Sequence, residues 1–250
     1  MIETIINNRV VCVMVPGKSI EELENKIEEY RDYDICWVSL NLFTVMEDYI
    51  LSKINKKLDI ILDCSTVAKS LSSQFERIRL PRIEDFLKRN DNNLWLTTRG
   101  FIRDIVTIHK PIWLSLYDNK IMIIDSIFPK DNIAQYMSVP NSLTLLIACL
   151  VAGKAKKIIL FGCDGCKTTS DNISTYYKSE IQTKDKILAI GDIKDDGIPR
   201  DSNNFETKFT QLFNIYKSLF NYELEIYNCS PNSEYNCIQK IDYNQVKGLL

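Results

Sequence analysis

Short runs of almost unbroken apolar residues recur along this chain, and each is closed by a turn-forming or small polar residue. Val10–Val15 (VVCVMV) ends at Pro16-Gly17, Leu58–Leu62 ends at Asp63-Cys64-Ser65, and Lys157–Phe161 ends at Gly162. Ile35–Leu40 is a fourth run of this kind. Runs of this length with such ends read as buried strands. Stretches of helical periodicity lie between them. Ile20, Leu23, Ile27 and Tyr30 fall on one helical face, and Ser19 and Glu22 have the spacing of a capping box. A second helix is expected over Phe43–Ile54, and a third around Ile83–Leu87. Asn93–Leu96, Asp104–Ile108 and Lys120–Ile124 read as short strands. Ser142–Ala152 reads as a buried helix stopped by Gly153. Phe205, Phe209, Leu212, Phe213, Tyr216 and Phe220 mark an amphipathic helix, Leu224–Tyr227 a last strand, and the tail a short helix or loops.

Strands alternating with helices imply right-handed crossovers and parallel pairing. The expected class is therefore α/β and Rossmann-like, with a mostly parallel sheet, helices on both faces and a lid-like insertion. Residues 1–250 read as a single domain, and the polar, weakly periodic stretch 165–203 as its lid segment. In open parallel sheets ligands bind outside the carboxyl ends of the strands. That rule selects Pro16–Ser19, Ser39–Asn41, Asp63–Thr66 and Gly162–Cys166, which are remote in the chain.

Charge and cysteine content narrow the partners. The formal net charge is −2, which gives no electrostatic footprint for nucleic acid. Eight cysteines lie mostly in or beside apolar runs, as expected of reduced, buried thiols in a chain of 250 residues. The longest apolar run, Leu143–Ala152, is too short to span a bilayer, and the opening MIETIINNRV lacks the pattern of a signal peptide. The expected location is cytoplasmic.

Several residue groups at the strand ends could carry chemistry. Val15-Pro16-Gly17-Lys18-Ser19 joins a strand to a helix, a place where backbone N–H groups favour an anion. Its Gly-Lys-Ser string is not a phosphate loop of the Walker type, because Cys12 stands where the first glycine belongs. Asp63 and Asp164 follow apolar strands, where a carboxylate can bind Mg²⁺, accept from a ribose hydroxyl or serve as a base. Gly162 and Gly165 flank Asp164 and would let a ligand approach closely. Cys163 and Cys166 form a lone C-x-x-C with no second pair to complete a zinc site. His109 is the only histidine. Tyr176 and Tyr177 could donate to a leaving-group oxygen from the lid.

The order of these segments resembles that of the bacterial lipooligosaccharide sialyltransferases and the related 6-hydroxymethylpterin pyrophosphokinase-like domains. The Gly17 and Ser19 positions match the second Gly and the Ser of a G-x-G-P-S-L loop. Asp63-Cys64-Ser65 stands where the family has Asn-Pro, and Asn141-Ser142 precedes the buried helix. Gly162-Cys163-Asp164 matches a G-x-D, and Cys229-Ser230-Pro231-Asn232-Ser233 a C-x-P-N-S-like end. The family's lid histidine has no counterpart in Asp195–Arg200.

The resemblance implies a glycosyltransferase-like protein that binds a CMP-sugar type of nucleotide, in surface glycan assembly. Gly17, Lys18 and Ser19 would then hold phosphate, and Gly162 would also belong to the nucleotide site. Asn41, Asp63 and Ser142 would line the nucleoside. Asp164, Tyr176 and Tyr177 would serve the transfer. Two other readings stay open: a Mg²⁺-dependent pyrophosphokinase of the hydroxymethylpterin type, with Asp63 and Asp164 as metal ligands, and a non-catalytic nucleotide-binding protein.

Overall fold

The computed structural model describes residues 1–40, 43–63, 73–102, 106, 110–124, 142–165, 206–207, 209–211, 214 and 224–250. Among the described residues eight strands form one sheet: β1 (Val10–Met14), β2 (Ile35–Leu40), β3 (Ile60–Leu62), β4 (Leu94–Thr97), β5 (Ile121–Ile123), β6 (Lys157–Phe161), β7 (Glu225–Asn228) and β8 (Gln239–Lys240). Their spatial order is β5-β4-β3-β2-β1-β6-β7-β8. All seven neighbouring pairs are parallel. The chain thus builds outward from β1 to β5 on one side. It then returns to the other side of β1 and builds outward again from β6.

Helices cover both faces, as expected. Alternation along each strand divides the core into two. Cys12, Met14, Trp37, Ile61, Trp95, Ile159 and Phe161 point to one face, and Val11, Val13, Val38, Ile60, Leu62, Leu96, Ile158 and Leu160 to the other. The first face receives Ile20, Leu23, Ile27 and Tyr30, the four residues placed on one helical face from their spacing. They lie in a 3₁₀ turn (Lys18–Ile20), helix α2 (Glu21–Lys26) and a second 3₁₀ turn (Ile27–Tyr30). The next helical stretch is α3 (Phe43–Tyr49), followed by a 3₁₀ turn over Leu51–Ile54. Then comes α4 (Ser73–Lys88), which carries Pro81 inside it. The second face is covered by α1 (Ile2–Ile6) and the helix Ser142–Ala152, which follows α5 (Arg99–Phe101) and α6 (Trp113–Leu116) and becomes α7. Eight of the eleven residues of α7 are buried, so it is enclosed nearly all round. The last helix is α8 (Tyr243–Val246), where Asp242 and Gln245 form a reciprocal capping box.

Three expectations need correction. Ser19 does not cap the helix after β1; neither Gly17 nor Ile20, the residues at the cap positions, gives a side-chain cap, and the Ser19 hydroxyl turns to Asp164 instead. Of the strand expected over Asp104–Ile108 only Val106 is described, and it lies in a helical turn whose carbonyl accepts from Lys110 N–H at 2.8 Å. Gly153 follows α7, yet the left-handed residue that stops the helix is Lys154, at φ 60°. Lys154 N–H reaches Val151 O and Ala155 N–H reaches Leu150 O, the paired bonds of a Schellman turn. The glycine serves packing: a Cβ on Gly153 would stand 3.0 Å from side-chain atoms of Ile2 and Ile6. The expected lid at 165–203 lies outside the described residues, apart from Gly165 at its start.

Candidate functional site

Strand order reverses between β1 and β6, so the carboxyl ends of these two strands mark the switch point of the sheet. The chain that leaves β1 and the chain that leaves β6 stay in contact beyond the sheet. Val15 N–H donates to Phe161 O and Gly17 N–H to Gly162 O, each at 2.9 Å. Both glycines are needed for this approach. Gly162 sits at φ +71°, and a Cβ there would be 2.2 Å from Val15 O. A Cβ on Gly17 would be 2.2 Å from Gly162 O and 2.7 Å from an Asp164 carboxylate oxygen. The room these glycines provide is therefore taken by protein backbone, not left for a ligand.

Asp164 closes the junction. Its Oδ2 accepts from Ser19 N–H at 2.9 Å, and its Oδ1 accepts from the Ser19 hydroxyl. The Asp164 carbonyl accepts from Glu234 N–H at 3.0 Å. The loop after β7 joins from the other side: Ser230 Oγ lies 2.7 Å from Ser19 Oγ. Ser230 is fixed by its own N–H, which donates to Asn228 Oδ1 at 3.0 Å, while Asn228 Nδ2 donates to Cys163 O at 3.1 Å. Asn228 and Ser230 are fully buried, whereas Ser19 and Asp164 are half-buried. From below, the phenol of Tyr243 in α8 donates to Ser19 O at 3.3 Å. Ser19, Asp164 and Ser230 thus gather three strand ends into one polar cluster.

The other residues singled out in the sequence are distributed around this cluster. Lys18 is solvent-exposed and pairs with Glu21. Asp63 follows β3 directly and is fully enclosed; its N–H continues the ladder by donating to Leu96 O at 3.1 Å. Two strands, β2 and β1, separate it from β6. At about 4.8 Å per strand this puts roughly 14 Å between the ends of β3 and β6. Ser142 begins α7, which turns back directly into β6 and so runs opposite to it. The helix it begins packs on the second face of the sheet, and Ser142 itself is half-buried. Asn41, Tyr176, Tyr177, Cys166 and His109 lie outside the described residues. Cys163 is buried.

Sequence reasoning missed Ser230 as a partner of Ser19, and Tyr243 as its support. Ser230 stands out in the sequence only as part of a segment after the last apolar strand, and nothing local ties it to residue 19. Thr97 at the end of β4 was missed as well; its hydroxyl is enclosed and makes no hydrogen bond among the described residues.

A cleft of about 240 Å³ occurs at the opposite end of the strands, lined by Asn7, Asn8, Arg9, Tyr33, Asp34 and Leu250 among others. It is remote from the Ser19–Asp164 cluster and smaller than the several hundred Å³ usual for a bound organic ligand. Its main charge, Arg9, is already held by Asp59 at 3.1 Å and by Ile35 O at 3.3 Å. No group of acidic, cysteine or histidine side chains able to hold a metal ion occurs among the described residues, and no helix there is long and apolar enough to cross a membrane.

No family model matches the chain, and no curated protein matches it in sequence. Solved structures do match. A single-residue variant of the sialyltransferase CstII, in complex with CMP, superimposes with a TM-score of 0.60 at 17% identity, over 93% of this chain and 86% of that one. CstII from Campylobacter jejuni with cytidine-5′-monophosphate gives 0.54 at 16% identity, over 93% and 84%. The monofunctional α-2,3-sialyltransferase Cst-I from Campylobacter jejuni gives 0.57 at 16% identity, over 92% and 78%. What this chain shares with these sialyltransferases is the architecture of the parallel sheet and its helices, so the resemblance read from the order of segments holds at the level of the fold.

Proposed function

We propose that this protein is a glycosyltransferase-like enzyme that binds a CMP-activated sugar at the carboxyl ends of β1 and β6. The observation that carries the reading is the polar cluster of Ser19, Asp164 and Ser230 at the switch point of the sheet. Its support is the likeness of nearly the whole chain to sialyltransferases solved with CMP. In this reading Gly17, Lys18, Ser19 and Gly162 border the phosphate, Asn41, Asp63 and Ser142 the nucleoside, and Asp164, Tyr176 and Tyr177 the transferred sugar and its leaving group. Gly17 and Gly162 contribute by bringing two loops together, not by exposing backbone. A metal bridging Asp63 and Asp164, as a pyrophosphokinase would require, draws no support from the geometry. One carboxylate is enclosed with two strands between it and β6, and the other is occupied by Ser19.

The test is thermal unfolding with CMP, CMP-sialic acid, ATP, and ATP with Mg²⁺. A ligand that binds only the folded protein stabilises it by about 2.7 kcal/mol at a hundred times its Kd. CMP and CMP-sialic acid are expected to raise the unfolding temperature. A rise with Mg²⁺–ATP alone, or none with any of these, rejects the proposal.

A further inference from the structure

Glycosyl transfer needs a group to take the proton of the attacking hydroxyl, and the lid histidine of the sialyltransferases has no counterpart in Asp195–Arg200. We infer that Ser19 and Asp164 do this together, as a two-step proton relay, with Ser230 as the residue that orients Ser19. This rests on the CMP-sugar reading above and supplies the base that reading lacks.

Hydrogen-bond directions in the cluster support the assignment. A serine hydroxyl has one proton and two lone pairs. Ser19 donates its only proton to Asp164 Oδ1, so the 2.7 Å contact with Ser230 must be donated by Ser230. The order Ser230→Ser19→Asp164 is therefore fixed. One lone pair of Ser19 accepts from Ser230, and the other has no partner among the described residues and can accept from a substrate hydroxyl. The second oxygen of Asp164 is anchored by Ser19 N–H, which keeps the carboxylate aligned with the same serine. Ser230 is fully buried and cannot meet a substrate, but Ser19 and Asp164 are half-buried at the carboxyl rim. A group that is accessible at one end and enclosed at the other suits a relay better than a simple loop fastening.

In the step, the acceptor oxygen forms its bond to the anomeric carbon. The bond from that carbon to the phosphate oxygen breaks, and its electron pair leaves with CMP. The acceptor proton passes to Ser19 Oγ while the Ser19 proton passes to Asp164 Oδ1. Asp164 then returns its proton to solvent, and Ser19 is regenerated.

The experiment measures CMP release from CMP-sialic acid, with water or an added oligosaccharide as acceptor, alongside CMP affinity. Ser19→Ala and Asp164→Asn are each expected to lower kcat by about 100-fold or more, with the CMP Kd of Asp164→Asn within about threefold of wild type. Ser230→Ala should lower kcat about tenfold, and Ser230→Thr, which restores a hydroxyl, should recover most of it. Ser19→Ala keeps its backbone N–H bond to Asp164, so it tests the relay even if Asp164→Asn does not fold. Either folded variant retaining a third of the wild-type rate overturns the relay, as does a loss of CMP affinity in Asp164→Asn that parallels its loss of rate. CMP binding without turnover by the wild-type protein overturns it too, but leaves the binding site standing. Failure of the wild type to bind CMP removes the reading on which the relay depends.

Discussion

Gly17 and Gly162 face each other across the junction of β1 and β6, with Gly17 N–H donating to Gly162 O at 2.9 Å. A methyl group on Gly17 would meet that same carbonyl and the Asp164 carboxylate, neither of which can move without parting the loops. Gly17→Ala is therefore expected to cost about 2–3 kcal/mol of folding stability. Gly162→Ala should cost at least as much, because its left-handed backbone adds about 1 kcal/mol to the clash. Gly100→Ala is the control, since a Cβ there meets nothing closer than 4.0 Å. Urea unfolding midpoints decide the matter. Equal midpoints for Gly17→Ala and Gly100→Ala would mean that the two loops are not in contact in solution.

The end of α7 makes an opposite pair of predictions at adjacent positions. Lys154 holds a left-handed conformation in a Schellman turn, where glycine carries no steric penalty. Its ion pair with Glu3 is exposed on both sides and contributes little. Lys154→Gly should thus stabilise the protein by about 1 kcal/mol. Gly153→Ala should destabilise it by about 1 kcal/mol, because Ile2 and Ile6 crowd that site. If a shift of the same sign is measured for both substitutions, the assignment of the turn is wrong.

Burial pushes the thiols of Cys12, Cys36 and Cys229 far above their ordinary value of 9.0, and that of Cys237 up to about 11. It also pushes the phenols of Tyr30 and Tyr243 far above 10.0. These groups keep their protons in the folded state at a pH where the unfolded chain has released them. Their contribution is constant below about pH 8 and is lost as the pH rises through 9 and 10. Each group adds a slope of up to about 1.4 kcal/mol per pH unit in that range. Unfolding free energy measured from pH 7 to 10.5 should fall steeply above pH 9, and less steeply in Tyr243→Phe. A flat profile to pH 10.5 would contradict the burial of these side chains.

Thr97→Val is expected to leave stability unchanged or raise it by about 1 kcal/mol. The hydroxyl it removes is fully enclosed and has no hydrogen-bond partner among the described residues, so replacing it with a methyl group relieves a desolvation cost. A measured loss above 1 kcal/mol would show that the hydroxyl is bonded in solution.

Much of the fold was legible because apolar runs and their breakers are local signals. Ile35–Leu40, Lys157–Phe161 and Ser142–Ala152 are delimited to the residue by such signals. The four-residue face Ile20, Leu23, Ile27 and Tyr30 is buried as expected, even though the helix that carries it begins and ends as 3₁₀ turns. What was not legible depends on partners distant in sequence. Ser19 and Glu22 have the pattern of a capping box, but a carboxylate 145 positions away offers Ser19 two bonds at once. β8 is only Gln239–Lys240, two exposed polar residues with no periodicity; it is a strand because β7 pairs with it. Leu58–Leu62 shortens to Ile60–Leu62 at its start, where the Asp59 carboxylate accepts from Trp37 N–H at 2.8 Å and from Arg9.

The placement of β1 between β2 and β6 has a consequence for how the protein is made. Residues 10–14 find β2 some twenty residues later, but must wait for residue 157 before their other edge is paired. At a synthesis rate of about 5–20 residues per second, a bare, fully apolar strand edge persists for roughly 7 to 30 seconds on the ribosome. A nascent chain halted before β6 would carry that sticky edge with it, and would be prone to clump. Ser19, Asp164 and Ser230 meet only after this gap is filled and β7 has been added, so the cluster cannot assemble on a half-made molecule.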